Sequence, residues 1–407
     1  MINMPNCLGD ENALMSRDRA IRNSIIASFL LYIVFGLPDG VFGTVWPNLR
    51  DDFSRSDGSL GLLILATAVG YATGGVASGY LIDRFTIGRL LPIAMTAALV
   101  ALALVAGAPE WWIVMAGYVV LGTGWGVADA GVNAWMALTQ GPRAMGMLHA
   151  SYGIGAFLGP LLATAFVADG TAWRAPYVAC AAFTAVSVAV LVRARAGFAE
   201  AKTTPEISAQ NAEVVGSTRL QALMIAWFSM YVGVEVAVGS WSYTLLTEAR
   251  GYTDESAGVL TSLYWGGLMG GRFVLAVVGN RVHPEMTLRL STVAAAAATV
   301  LLWADPGGLG GLALPFLGLT FSAMFPVVMG RTAVYLGEAR AANAVGYQIG
   351  ATSIGFTALP ALIGVLADRS DVGVAAPVLL VSIGVVGALW LLIEREARSN
   401  LEIRAAS

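Results

Sequence analysis

The sequence predicts an all-α membrane protein, with about twelve transmembrane helices arranged in two pseudo-symmetric six-helix halves. Three observations predict it. The 407 residues are 57% hydrophobic and only 12% charged, and the mean hydropathy is +0.72, whereas soluble domains carry about 25% charged residues. About twelve apolar stretches are long enough to cross a hydrocarbon core. Residue patterns of the first half also return in the second at a nearly constant offset.

The expected spans are 23–48, 57–82, 89–108, 111–139, 144–167 and 173–192, then 219–247, 256–280, 286–304, 308–336, 342–366 and 373–393. Arg17, Arg19 and Arg22 precede the first of them, and that apolar run is too long for a signal-peptide core, so it is expected to be retained. Pro38 should make this first span irregular and free backbone carbonyls, which is tolerated where they line a cavity. Residues 193–218 form the one long polar interior segment and read as a linker. The domain expectation is therefore 1–192, linker 193–218, and 219–407.

Lys and Arg set the orientation. With a cytoplasmic N-terminus, sixteen basic residues fall inside and five outside, while Arg272 and Arg331 lie within spans. The acidic residues divide almost evenly, so the bias is of the positive-inside kind. Both termini are expected in the cytoplasm and the chain in the inner membrane. Cys7 and Cys180 cannot build a disulfide framework.

The repeat is carried by four ordered pairs. Leu121-Gly122 matches Leu317-Gly318, and Asp39 with Gly43 matches Glu235 with Gly239. Gly155 and Pro160 match Gly355 and Pro360, and "YLIDR" closes the second span where "VVGNR" closes the eighth. Offsets of 196–200 residues fit a duplication of six spans. Two such halves with a mid-membrane site between them form a transporter architecture.

"GYLIDRFTIGR", residues 79–89, resembles the loop signature of the major facilitator superfamily through Gly79, Asp83, Arg84, Gly88 and Arg89. "GVADAGVN", "YVGVEVAVGSW" and "FSAMFPVVMG" resemble the fucose–galactose–glucose proton symporter branch, although the first-span acid sits about a turn from its place there. The resemblance implies the superfamily's twelve-helix fold and secondary transport. The five loop residues are expected to latch the halves in one access state.

Helical spacing then selects site candidates. Gly122, Trp125, Gly126, Asp129 and Asn133 share one helix face. On a cavity wall, the glycines would leave room, Trp125 would stack on a solute and Asn133 would offer donor and acceptor. A lone carboxylate in hydrocarbon is costly and points to function. A weakly solvated carboxylate holds its proton more readily than one in water, so Asp39, Asp129 and Glu235 are proton-coupling candidates. A structural role for each acid stands beside that reading. Tyr152, Tyr231, Trp241 and Gln348 join Trp125 and Asn133 as candidate solute contacts; Arg272 and Arg331 read as gate or snorkelling residues.

The single lysine, Lys202, lacks a phosphate-loop context, and two distant histidines give no metal site. No enzyme and no cofactor are expected. The expected partners are a small-molecule solute, protons (with sodium open as the alternative ion) and the lipid bilayer; nucleic acid is not expected, and the chain reads as a monomer. The leading function is proton-coupled uptake of a sugar or similar polar solute by alternating access. Proton-antiport efflux of amphipathic compounds is the alternative, and a non-transporting membrane sensor the remote one.

Overall fold

The computed structural model describes residues 7–140, 142–167, 173–198, 217–278 and 283–406. In chain order the helices are α1 (Cys7–Asp52), α2 (Ser59–Phe85), α3 (Ile87–Ala106), α4 (Trp111–Thr139), α5 (Pro142–Val167) and α6 (Arg174–Ala194). They continue as α7 (Thr218–Thr244), α8 (Asp254–Val278), α9 (Pro284–Ala304), α10 (Ala313–Phe321), α11 (Met324–Leu336), α12 (Glu338–Ala367) and α13 (Ala375–Ala406). Among the described residues there is no strand. Among the described residues, eleven helical segments are long and apolar enough to cross a membrane, α10 and α11 counting together as one. The remaining expected span is α8, which carries Asp254, Glu255 and Arg272.

The expected break at Pro38 is corrected, and so is the expected continuity of the tenth span. Helix α1 runs through Pro38 without interruption. Packing by α5 explains this: the Cβ-less faces of Gly155 and Gly40 let backbone meet backbone on either side of the proline. A Cβ on Gly155 would lie 1.9 Å from the Ile33 carbonyl oxygen, and one on Gly40 would lie 2.5 Å from that of Ala156. The break falls instead in the tenth span, where Ser322 and Ala323 separate α10 from α11. Pro326 has no N–H to give the carbonyl of Ser322, and its ring crowds that group. The neighbouring Phe321 carbonyl is taken by the Tyr231 hydroxyl at 2.8 Å.

Residues 193–198 are not loop. They complete α6 and add a short 3-10 turn, Arg195–Phe198, with Phe198 buried against Trp135 at 4.8 Å between ring centroids. Of the rest of the expected linker, 199–216 lie outside the described residues, and Ser217 caps α7, which Thr218 begins.

The chain forms two compact units. One comprises Met1–Pro38, Ala66–Gly155 and Arg174–Pro205; the other comprises Asp39–Leu65, Ala156–Trp173 and Glu206–Ser407. Glycine contacts repeat inside them. A Cβ on Gly155 would strike Ile33 O and Leu37 N, and one on Gly355 would strike Ser229 O and approach Gly233 N. Likewise Gly122 abuts Thr67 O and Tyr71 N, and Gly318 abuts Tyr264 O and Leu268 N. These partners are separated by the same offset of about 196–200 residues as the sequence pairs, so the duplication extends to the helix–helix seams. Small residues at such seams let backbones approach where lipid supplies no hydrophobic drive between helices.

Candidate functional site

In the first unit, glycine seams bring the polar groups together. Gly122 and Gly126 of α4 face α2, each with a would-be Cβ 2.1 Å from a carbonyl oxygen, of Thr67 and Tyr71 respectively. Gly70 and Gly74 return the contact from α2 onto Val119 and Thr123. The glycines therefore close a seam instead of leaving room in a cavity wall, which corrects the sequence reading. With the backbones this near, the Tyr71 hydroxyl donates to Asp129 Oδ2 at 2.6 Å.

Gly155 does the same between α5 and α1, beside the turn of α1 that carries Tyr32 and Phe35. Tyr32 donates its hydroxyl to Asp129 Oδ1 and accepts the Asn133 side-chain amide at 2.7 Å. Asn133 also donates to the Asp129 backbone carbonyl at 3.0 Å, which fixes its rotamer. Each carboxylate oxygen thus has a phenolic donor, and the cluster is braced by an amide one turn away. Phenol hydrogen bonds to a carboxylate in low dielectric are stronger than in water and polarise one another.

Aromatic surface flanks the acid. Phe35 lies 5.5 Å from Tyr32 and 5.6 Å from Trp125, and the His149 ring meets Tyr32 edge-on at 5.5 Å. Tyr32, Phe35 and Trp125 are buried, whereas Asp129, Asn133 and Tyr152 are half-buried and Tyr71 is 40% exposed. Tyr71 is therefore the most exposed member of the hydrogen-bonded cluster.

The second unit holds Glu235. Its carboxylate accepts the Tyr231 hydroxyl and ion-pairs with Arg272 at 3.5 Å, while Tyr264 donates to its backbone carbonyl at 2.7 Å. Arg272 is thus an interior partner of Glu235, not the snorkelling residue the sequence suggested. Arg331 pairs with Glu285 at 2.7 Å and stands 5.0 Å from the Tyr335 ring centroid. Tyr231 is 1% exposed and stacks flat on Trp227 at 5.1 Å. Trp241 is buried and donates to Pro360 O at 3.1 Å; Gln348 is buried, accepting from Thr332 at 3.1 Å. The structure thus places these three solute-contact candidates in interhelical packing.

Asp39 is half-buried and falls in the second unit, with Gly43 packed 2.8 Å from the Gly239 carbonyl oxygen by its would-be Cβ. The expected loop residues are helical: Gly79, Asp83 and Arg84 end α2 and Arg89 lies in the first turn of α3, with Thr86 alone between the helices, and all four are exposed. Arg84 bonds the Tyr80 hydroxyl at 3.1 Å and lies 5.8 Å from the Phe85 ring centroid. Gly88 is buried against the Arg195 carbonyl, 2.3 Å from a would-be Cβ, so a larger residue could not seat the start of α3 on the turn that follows α6.

Tyr32, Phe35 and Tyr71 were not singled out in the sequence. Tyr71 carries a usable signal, lying between Gly70 and Gly74 on the seam face. Tyr32 and Phe35 sit in an unbroken apolar run and carry none.

A helical membrane protein with a duplicated six-span plan, each unit carrying a half-buried acid among tyrosines, defines a class: the membrane transporters. The Major Facilitator Superfamily model matches residues 28–347, and the chain belongs to that family of transporters. It is 26% identical over 398 residues to the sodium-dependent glucose transporter 1 of Homo sapiens, covering 85% of this chain and 73% of the relative. It is 21% identical over 322 residues to the glucose/mannose transporter GlcP of Bacillus subtilis, covering 76% and 79%. The crystal structure of a bacterial homologue of the human lysosomal transporter Spinster, inward-facing and unoccupied, superposes with a TM-score of 0.73 at 14% identity. That match covers 94% of this chain and 98% of that one. The two relatives are hexose transporters by name, in keeping with the sugar branch that the α4 stretch resembles.

Proposed function

We propose that this chain is a cation-coupled sugar transporter of the cytoplasmic membrane, with both termini in the cytoplasm, working by alternating access. The observation that carries the reading is the Tyr32–Asp129–Tyr71 cluster braced by Asn133. A sugar needs donors and acceptors beside an apolar ring face. Here Tyr71, Asp129 and Asn133 supply the first, and they stand beside the aromatic cluster of Tyr32, Phe35 and Trp125.

Asp129 is the coupling group of this account. Ionised, it holds both phenol hydrogens. Protonated, it releases at least one of them, and Tyr71 can then donate to a sugar hydroxyl. Loading a proton thereby prepares the site for solute, which is a coupling free energy between two ligands. Glu235 is held by Arg272 and serves structure in the second unit. Asp39 remains a second candidate on the ion path, and the Asp83–Arg84 segment is the latch of one access state.

The human relative's printed name specifies sodium, so the ion is part of the test. Purified protein in proteoliposomes is offered labelled glucose, mannose and a nucleoside under an imposed pH gradient or an imposed sodium gradient. The account expects pH-driven hexose accumulation. Sodium-driven uptake would replace the proton with sodium, and nucleoside uptake without hexose uptake would overturn the sugar assignment.

A further inference from the structure

Outside the transport cluster, basic side chains gather where α9 meets the C-terminal part of α13. Arg289, Leu391, Glu394, Arg395, Arg398 and Ser399 line a cleft of about 460 Å³. Glu394 is the one acid in its wall, 4% exposed, and its charge is already used. Arg289 grips it through two bonds, the Nε contact at 3.2 Å, and the Trp390 indole donates to it at 3.0 Å. Arg398 reaches the same carboxylate only at 4.0 Å and is 67% exposed along its side chain. The adjacent Glu396 faces elsewhere, to Ser217 at 2.9 Å and Arg219 at 3.6 Å. Three guanidiniums, of Arg289, Arg395 and Arg398, therefore line the cleft against one carboxylate, which leaves it with a net positive charge.

What surrounds the cleft is apolar. Met286, Leu290 and Val293 on α9 and Leu391 on α13 expose 55%, 58%, 69% and 56% of their surface. On a membrane-spanning bundle such side chains face acyl chains. A cationic cleft capping an outward-facing greasy strip fits a molecule with a phosphate at one end and hydrocarbon at the other. Guanidinium matches phosphate in charge and in its paired-donor geometry, and basic clefts between membrane helices are suited to anionic headgroups.

We infer that this cleft holds the phosphodiester headgroup of an anionic phospholipid, with Arg395 and Arg398 as its ligands and Arg289 fixed behind them by Glu394. The exposed strip of α9 receives an acyl chain. The site joins α9 to α13, so occupancy ties the last helix of the chain to its neighbour. It is independent of the solute and of the coupling ion.

The test uses the full-length protein in a neutral detergent. Phosphatidylglycerol, phosphatidylcholine and glycerol phosphate are titrated separately, with retained lipid counted by native mass spectrometry and stability followed by thermal melting. Phosphatidylglycerol should be retained and should raise the melting temperature, with binding weakened about tenfold in Arg395→Gln/Arg398→Gln. Both arginines are exposed, so that variant keeps the wild-type lipid-free melting temperature; the single variants serve if it does not. Equal retention of phosphatidylcholine, or unchanged phosphatidylglycerol binding in the variants, overturns the site. A full effect from glycerol phosphate alone overturns the lipid as its occupant.

Discussion

Tyr71 of α2 donates its hydroxyl to Asp129 of α4 at 2.6 Å, across a seam that exists because Gly126 has no side chain to hold the helices apart. Tyr71 is 40% exposed while Tyr32, on the other carboxylate oxygen, is 2% exposed. The same bond therefore has different consequences on its two sides. Tyr71→Phe removes a donor that water or solute can reach, and it should raise KM roughly five- to tenfold, about the worth of one hydrogen bond, with the melting temperature little changed. Tyr32→Phe removes, from a buried position, the partner of both Asp129 Oδ1 and the Asn133 amide and should lower the melting temperature by several degrees. Hexose uptake and thermal melting of both variants check the contrast.

The seam itself is testable. A methyl group on Gly126 would lie 2.1 Å from the Tyr71 carbonyl oxygen, closer than any side chain can yield to, because the obstacle is backbone. Gly126→Ala should destabilise the protein by about 1–3 kcal/mol, the cost of overpacking, and should reduce transport by pulling Tyr71 from Asp129. Gly79→Ala is the control: nothing lies within 4 Å of its Cβ, and its melting temperature should match wild type.

These seams show what could be read from the chain. The α4 stripe, the twelve spans and the duplication were legible because each rests on local periodicity or on exact residue identity. Asp129 and Asn133 were found for that reason. The glycines were read as empty space, since spacing on one helix does not say whether a neighbour's backbone occupies the gap. Pro38 and Pro326 are alike in sequence, yet only the second breaks its helix; α5 packs along the first. Arg272 looked like a helix-end residue because its partner, Glu235, is 37 positions away. Long-range pairing of this kind leaves no local trace.

The Glu235–Arg272 pair yields a double-mutant prediction. Its side chains are 15% and 29% exposed, so removing one partner leaves a poorly solvated charge behind. Glu235→Gln and Arg272→Gln should each destabilise, and the double variant should recover part of the loss, with a coupling of roughly 1–3 kcal/mol. Additive losses in a thermal or denaturant series would show that the two charges do not depend on each other.

On the proposed extracellular side, Arg50 is shared among Asp51 at 3.0 Å, Asp57, and Glu248 at 2.8 Å, and Asp368 accepts the Gly58 amide at 3.0 Å. Arg50→Gln releases the long-range partner Glu248 together with Asp57 and should favour opening of that end by roughly 1 kcal/mol, about a fivefold change in population. With Cys7 and Cys180 removed, Thr44→Cys, at a position 0% exposed, reports the change. Labelling by an impermeant thiol reagent should speed up several-fold in Arg50→Gln, and an unchanged rate would remove Arg50 from the closure.

The central claim is that Asp129 couples solute movement to an ion. Asparagine keeps the size of the side chain and can still bond Tyr32 and Tyr71, but it cannot take up or release a proton. The decisive measurement is hexose transport by Asp129→Asn in proteoliposomes, once with an imposed pH gradient and once as counterflow without one. The account predicts that gradient-driven accumulation is lost while counterflow persists, because exchange requires only alternating access of a loaded site. Accumulation against the solute gradient by this variant, still dependent on the pH gradient, would contradict it.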